Sequence, residues 1–199
     1  MLDQAADLDG RSGGTHARES TARASAAEPE HARGEGAPRD NLYVVAGPDD
    51  VPRRAGRVLP IDPRGRVLLL FGFDPADPGH PFWFTVGGGA EPGESFAEAA
   101  ARELREEVGI QADVSELGDP VWRRIADYGF AGMRFRQKEE YFLLRVDSRA
   151  VSLDGMDHLE RQTVTAYRWW SPAELDSAAE PVRPAELPGL LRRLTQPGS

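Results

Sequence analysis

The stretch SFAEAAARELREEVG, residues 95 to 109, specifies one helix and restricts what can pack against it. Ser95 followed three residues later by Glu98 is a capping box, and Gly109 is placed to end the helix in a left-handed turn. At about 100° per residue, Ala97, Ala100, Ala101, Leu104 and Val108 fall on one arc, small enough to approach a β-sheet closely. On the same projection Glu107 lies about 40° to one side of Glu103 and Glu106 about 60° to the other, so three carboxylates share a face beside that arc. A fold built around this helix needs a sheet on one side and an answer to clustered negative charge on the other.

The flanking sequence supplies the sheet. RVLPIDPRGRVLLLFG holds two β-rich runs around Asp62-Pro63-Arg64-Gly65, with proline at the second turn position and glycine at the fourth, and reads as a hairpin. PFWFTV (81 to 86), VWRRIADYGF (121 to 130), EEYFLLRV (139 to 146) and TVTAYRWW (163 to 170) are rich in aromatic and β-branched residues and read as further strands. Two weaker helices start near Ser171-Pro172 and Pro188. Strands and helices without a regular βαβ rhythm predict an α/β domain, a mixed sheet with helices on both faces.

Residues 1 to 40 are rich in Ala, Gly, Ser, Arg and Glu, with Met1, Leu2 and Leu8 as the only large apolar side chains. Such a segment cannot bury enough surface to offset its ordering entropy, so the expectation is a disordered N-terminal extension on a single domain of residues 41 to 199. No apolar run reaches the ~18 residues of a membrane span, and no charged-then-apolar leader opens the chain, which predicts a soluble, cytoplasmic protein that does not engage membranes. The absence of cysteine excludes disulfides, zinc-thiolate sites and thiol nucleophiles. A net charge of −9 argues against nucleic-acid binding through the phosphate backbone.

Two readings of the acidic face compete. A solvated helix surface, with Glu98 and Arg102 as an i,i+4 pair, is the ordinary one. Its difficulty is that like charges at this spacing repel, and only Arg102 is near enough to answer three of them. A hard divalent cation resolves the repulsion, because magnesium takes oxygen ligands and keeps water and substrate phosphates among them.

Gly88, Glu94, Arg102-Glu103-Leu104, Glu106-Glu107, Gly109 and Ile110 match every constrained position of G-x5-E-x7-R-E-U-x-E-E-x-G-U, where U is a bulky aliphatic. The chain therefore resembles the Nudix hydrolase family over about residues 53 to 195, and RWWSPAEL is similar to the segment that closes many of its domains. One departure is Val86, where many members carry proline. The resemblance implies a Nudix-type α/β/α sandwich and hydrolysis of a phosphoanhydride bond. The substrate would be a nucleoside diphosphate linked to another moiety, or a nucleoside triphosphate, and the cofactor Mg2+, with Mn2+ as an alternative. It implies a small-molecule nucleotide as partner and leaves homo-oligomerisation open. A non-catalytic ligand sensor on the same fold is the alternative, disfavoured because every carboxylate of the motif is present.

The expected roles follow. Glu103 and Glu107, one turn apart, are expected metal ligands, with Glu106 as a third ligand or part of the proton-transfer apparatus. Arg102 is expected to orient Glu106. By resemblance Glu94 supports the site, while Gly88 and Gly89 allow a tight turn that brings a carbonyl near the metal. Members often take a general base from a loop ahead of the terminal Trp segment; GMDHLERQ occupies that place and nominates Glu160, with Glu139, Glu140 and Asp157 as competitors and His158 as a surface residue. Phe82, Trp83 and Phe84 could stack on a base but fit core strand positions better. Tyr128 lies about where dinucleoside-polyphosphate members carry a tyrosine. The substrate itself is not specified by these residues.

Overall fold

The computed structural model describes residues 51–147 and 150–195. The extension expected at 1–40 and the domain start expected at residue 41 lie outside the described residues. The chain runs β1 (Val51–Ile61), β2 (Val67–Asp74), β3 (Asp77–Gly89), α1 (Phe96–Val108), α2 (Val114–Leu117), β4 (Trp122–Phe130) and β5 (Met133–Arg145). It continues through α3 (His158–Thr163), β6 (Val164–Trp170), α4 (Pro172–Asp176), β7 (Val182–Arg183) and α5 (Leu187–Thr195). No helix among the described residues is long and apolar enough to cross a membrane.

The strands form one mixed sheet in the order β4-β5-β1-β2-β3-β7, with β6 paired to β2 off that path. β1 is its axis. It runs parallel to β5 along its whole length and antiparallel to β3 through Ala55–Gly89 to Val58–Val86. The β1–β2 turn forms where the sequence predicts it, because the Asp62 carboxylate accepts from the amides of Arg64 and Arg66, each at 2.9 Å, and Gly65 takes φ 74°.

Alternation along β1 and β2 sorts their side chains into two cores. Val58, Leu68 and Leu70 face α1 with Val86, Leu104, Val108 and Phe142. Leu59, Ile61, Val67 and Leu69 face the opposite way, against Trp83, Tyr141, Trp170 and the leucines of α4 and α5. Strands buried on both faces read as continuous apolar runs, which is why VLLL carries no polar alternation. The layers are those of the expected α/β/α sandwich.

The structure departs from the sequence reading in length more than in kind. β3 extends through the glycine run to Gly89, and β5 starts at Met133, closing a hairpin with β4 through Ala131 and Gly132, both at positive φ as a two-residue turn of this hand requires. The segment read as a loop around Glu160 is α3, started by a capping box in which Asp157 and Glu160 exchange hydrogen bonds.

Candidate active site

The helix α1 starts and ends as its sequence specifies. The Ser95 side chain accepts from the Glu98 amide, the Glu98 carboxylate accepts from the Ser95 amide, and Gly109 closes the helix at φ 70°. Its approach to the sheet is close at two glycines paired across β1 and β3, Gly56 and Gly88. A Cβ on Gly56 would lie 2.0 Å from the Phe96 carbonyl oxygen, and one on Gly88 would lie 2.4 Å from Glu103 Oε1. These glycines let the acidic side of the helix settle against the sheet. The glycine run works in extended strand rather than in a tight turn; among Gly87, Gly88 and Gly89, only Gly87 has positive φ, at 123°.

Two of the three acids on that face, Glu103 and Glu107, are consequently withdrawn from solvent. Glu103 is 8% exposed and Glu107 5%, and one carboxylate oxygen from each lies within 4.8 Å of one from Glu160. α3 carries Glu160 to this place, with one of its oxygens held by the Asp157 amide at 2.8 Å. Glu107 Oε2 accepts from the Gly87 amide at 2.6 Å. Glu106 turns elsewhere, to Arg102 at 3.0 Å and Arg105 at 3.1 Å, with its side chain 39% exposed.

Arg102 is the hub that ties loop to helix. Its guanidinium donates to both oxygens of Glu94, to Glu103 Oε1 at 2.8 Å, to Glu106 Oε2 and to the Gly89 carbonyl at 2.9 Å. The Glu98–Arg102 pair of the solvated reading does not form, because Glu98 is occupied by the cap and Arg102 by Glu94. Glu94 also accepts from the Glu91 amide at 2.8 Å. Hydrogen bonds from Arg102 hold its carboxyl below the ordinary range, more than offsetting burial.

Electrostatics distinguish the three clustered acids from Glu94. Burial pushes the Glu107 carboxyl well above the usual range, and neighbouring Glu103 adds to it, against the Gly87 amide and Arg57. Burial raises Glu103 as well, against the pull of Arg102, and raises Glu160 against the hydrogen bond from the Asp157 amide, with the charges of Asp157 and Glu106 adding. In all three acids burial outweighs the local positive charge, so the ionised form is disfavoured relative to an ordinary carboxylate. The donor set is all carboxylate oxygen, partly buried and short of positive charge, which fits a hard divalent cation.

The competitors for general base fall away from this cluster. Glu139 is buried in a network of its own, Glu140 pairs with Arg123 at 3.0 Å, Asp157 caps α3, and His158 is exposed beside Gln162. Trp83 is core, packed on Phe71 and edge-on to Trp170; Phe84 packs against the α1-side core, and Phe82 lies under the Arg183 guanidinium. Tyr128 donates to Gln137 at 2.9 Å and stacks on Phe135. Sequence reasoning missed Arg57, whose guanidinium donates to the Gly87 carbonyl behind Glu107. Its only sequence signal is a charge at the head of the apolar run VLPI in a central strand.

Comparison with known proteins agrees with the geometry. The nucleoside triphosphatase NudI of Salmonella typhimurium is 36% identical over 97 residues, which span 47% of this chain and 64% of that protein. The chain thus matches somewhat under two thirds of that relative's length. The MutT protein of Methanosarcina mazei shares the fold, with a TM-score of 0.54 at 21% identity, covering 73% of this chain and 94% of that one. The E. coli ORF135 protein superposes with a TM-score of 0.51 at 25% identity, covering 75% and 96%. The NUDIX domain profile matches residues 51–192, which contain the whole of the sheet, the glycine run and the acidic cluster, and the chain belongs to the Nudix family.

Proposed function

We propose that this protein is a metal-dependent pyrophosphohydrolase that cleaves a phosphoanhydride bond in a nucleoside triphosphate or in a nucleoside diphosphate linked to another moiety. The observation that carries this reading is the convergence of Glu103, Glu107 and Glu160, from two helices far apart in sequence, into one carboxylate cluster. Glu103 and Glu107 would hold the cation, Mg2+ or Mn2+. When bound, it would supply charge neutralisation for the phosphates and Lewis acidity for the attacking water. Metal, rather than a basic surface, would recruit the phosphates to a chain of net charge −9.

The residues around the cluster then divide the work. Arg102 fixes Glu103 and holds Glu94 and the Gly89 carbonyl in place. Glu160, anchored by its cap and raised above the ordinary carboxylate range by burial, is the acid best placed to take a proton from water. Glu106 serves by keeping Arg102 oriented. The NudI relative makes nucleoside triphosphates the first substrates to try.

The test is a screen of nucleoside triphosphates, nucleotide sugars and dinucleoside polyphosphates with Mg2+ or Mn2+, using Glu107→Gln as the control. Product release by the parent and not by the control is expected. A protein that binds nucleotide with metal yet releases no product from any of them is a sensor, and the hydrolase reading then fails.

A further inference from the structure

On the face of β1 turned away from α1, charge is buried outside the acidic cluster itself. Arg57 has a side chain only 18% exposed, and its Nε lies 3.4 Å from Glu139 Oε1. Glu139, 4% exposed, is saturated: it accepts from Arg124 at 2.5 Å, from Gln137 at 2.7 Å and from the Tyr141 hydroxyl at 2.7 Å. Burial opposes its charge, but Arg57 and Arg124 outweigh the cost and keep its carboxyl below the usual range. A carboxylate so held is a fixed anchor for Arg57.

Arg57 Nη1 donates to the Gly87 carbonyl. The amide of the same Gly87 donates to Glu107 Oε2 at 2.6 Å. Gly87 is thus held from both ends, in a conformation with φ 123° that other residues rarely adopt, and a Cβ there would lie 2.2 Å from the Gly56 carbonyl oxygen. From these contacts we infer that Arg57, anchored by Glu139, is a positioning residue: by holding the Gly87 carbonyl it fixes the backbone torsions of that glycine, and so the preceding peptide's N–H, which sets the orientation of the Glu107 carboxylate toward the cation. Arg57 touches neither substrate nor metal in this arrangement. It acts as an outer partner, and loss of such partners typically costs about 10–100-fold in metal affinity or activity.

This inference rests on the metal-site reading of Glu107, and the experiment keeps the two apart. The 15N-labelled parent, Arg57→Met and Arg57→Lys are compared by the Gly87 amide resonance and its hydrogen exchange, and by Mn2+ affinity from the signal of free ion without nucleotide. The paired variant Arg57→Met with Glu139→Gln is included because removing both charges avoids stranding one in the interior. In Arg57→Met and in the paired variant, the Gly87 amide should move upfield and exchange faster. Mn2+ should bind about 10–100-fold more weakly. Arg57→Lys, which keeps a donor and a charge, should recover part of both. A Gly87 amide that is unchanged in Arg57→Met and in the paired variant overturns the inference, as does an unchanged Mn2+ affinity in these variants. A parent that binds no Mn2+ overturns the metal reading instead, and the Gly87 resonance still decides whether Arg57 holds the backbone at that glycine.

Discussion

Glu103, Glu106 and Glu107 look alike on a helical projection, yet the fold gives them different tasks. Glu107 is buried on the Gly87 amide and pushed upward in pKa, whereas Glu106 is part-exposed between two arginines. Glu107→Gln should therefore lose at least the roughly 10–100-fold that an outer partner of a metal costs, while the metal-free protein melts at the same temperature or higher, since a crowded charge is gone. Glu106→Gln should lose less, because Arg102 keeps Glu94 and Glu103 as partners. Initial rates at saturating metal rank the two, and a Glu106 variant more impaired than the Glu107 variant would reverse these assignments. Glu160→Gln should lower kcat more than metal affinity, and equal losses in both would make it a ligand rather than a proton acceptor.

At the scale of elements, the seating of α1 on β1 and β3 decides whether the acids meet. The contact is closest at Gly56, where an added methyl would collide with the Phe96 carbonyl, a backbone atom that cannot swing aside. Gly56→Ala should cost about 3 kcal/mol or more, the upper end of what overpacking does, and lift α1 from the sheet so that Mn2+ affinity falls with stability. Ser95→Ala removes the side-chain acceptor of the helix cap and should cost about 1 kcal/mol, with the site intact. Denaturant melts paired with Mn2+ titrations separate these outcomes. A Gly56→Ala protein as stable as the parent would show that the helix does not sit this close.

For the whole molecule, the three raised carboxylates couple stability to pH and to metal. Each has a folded pKa above the ordinary glutamate value, so the folded state binds more protons than the unfolded one as they titrate. Stability from these groups is full below about 4.5 and is lost as pH rises through the higher folded values. The metal-free protein should therefore be stabilised by mild acidification from neutral pH. Mg2+ should reverse this, because a cation favours the ionised form, and at a hundredfold excess over Kd should add about 2.7 kcal/mol. Melting curves against pH with MgCl2, and with NaCl at matched ionic strength, check both signs; equal shifts from the two salts would leave the acids without a metal. The sequence determined α1 and its caps, the β1–β2 turn, the two-faced core strands and the pairing of Glu103 with Glu107 one turn apart, since each rests on hydrogen bonds or periodicity within a few residues. α3, read from the sequence as a loop, carries its helix signal only in the three-residue spacing of Asp157 and Glu160. Only the tertiary structure decided that Glu160 joins the pair while Glu106 turns away, that β1 runs parallel to β5, and that Arg57 reaches Gly87 from Glu139. Apart from the local bonds of Glu106 to Arg102 and Arg105, those contacts join segments tens of residues apart. Their geometry follows from how the helices and sheet close on one another, which no local spacing encodes.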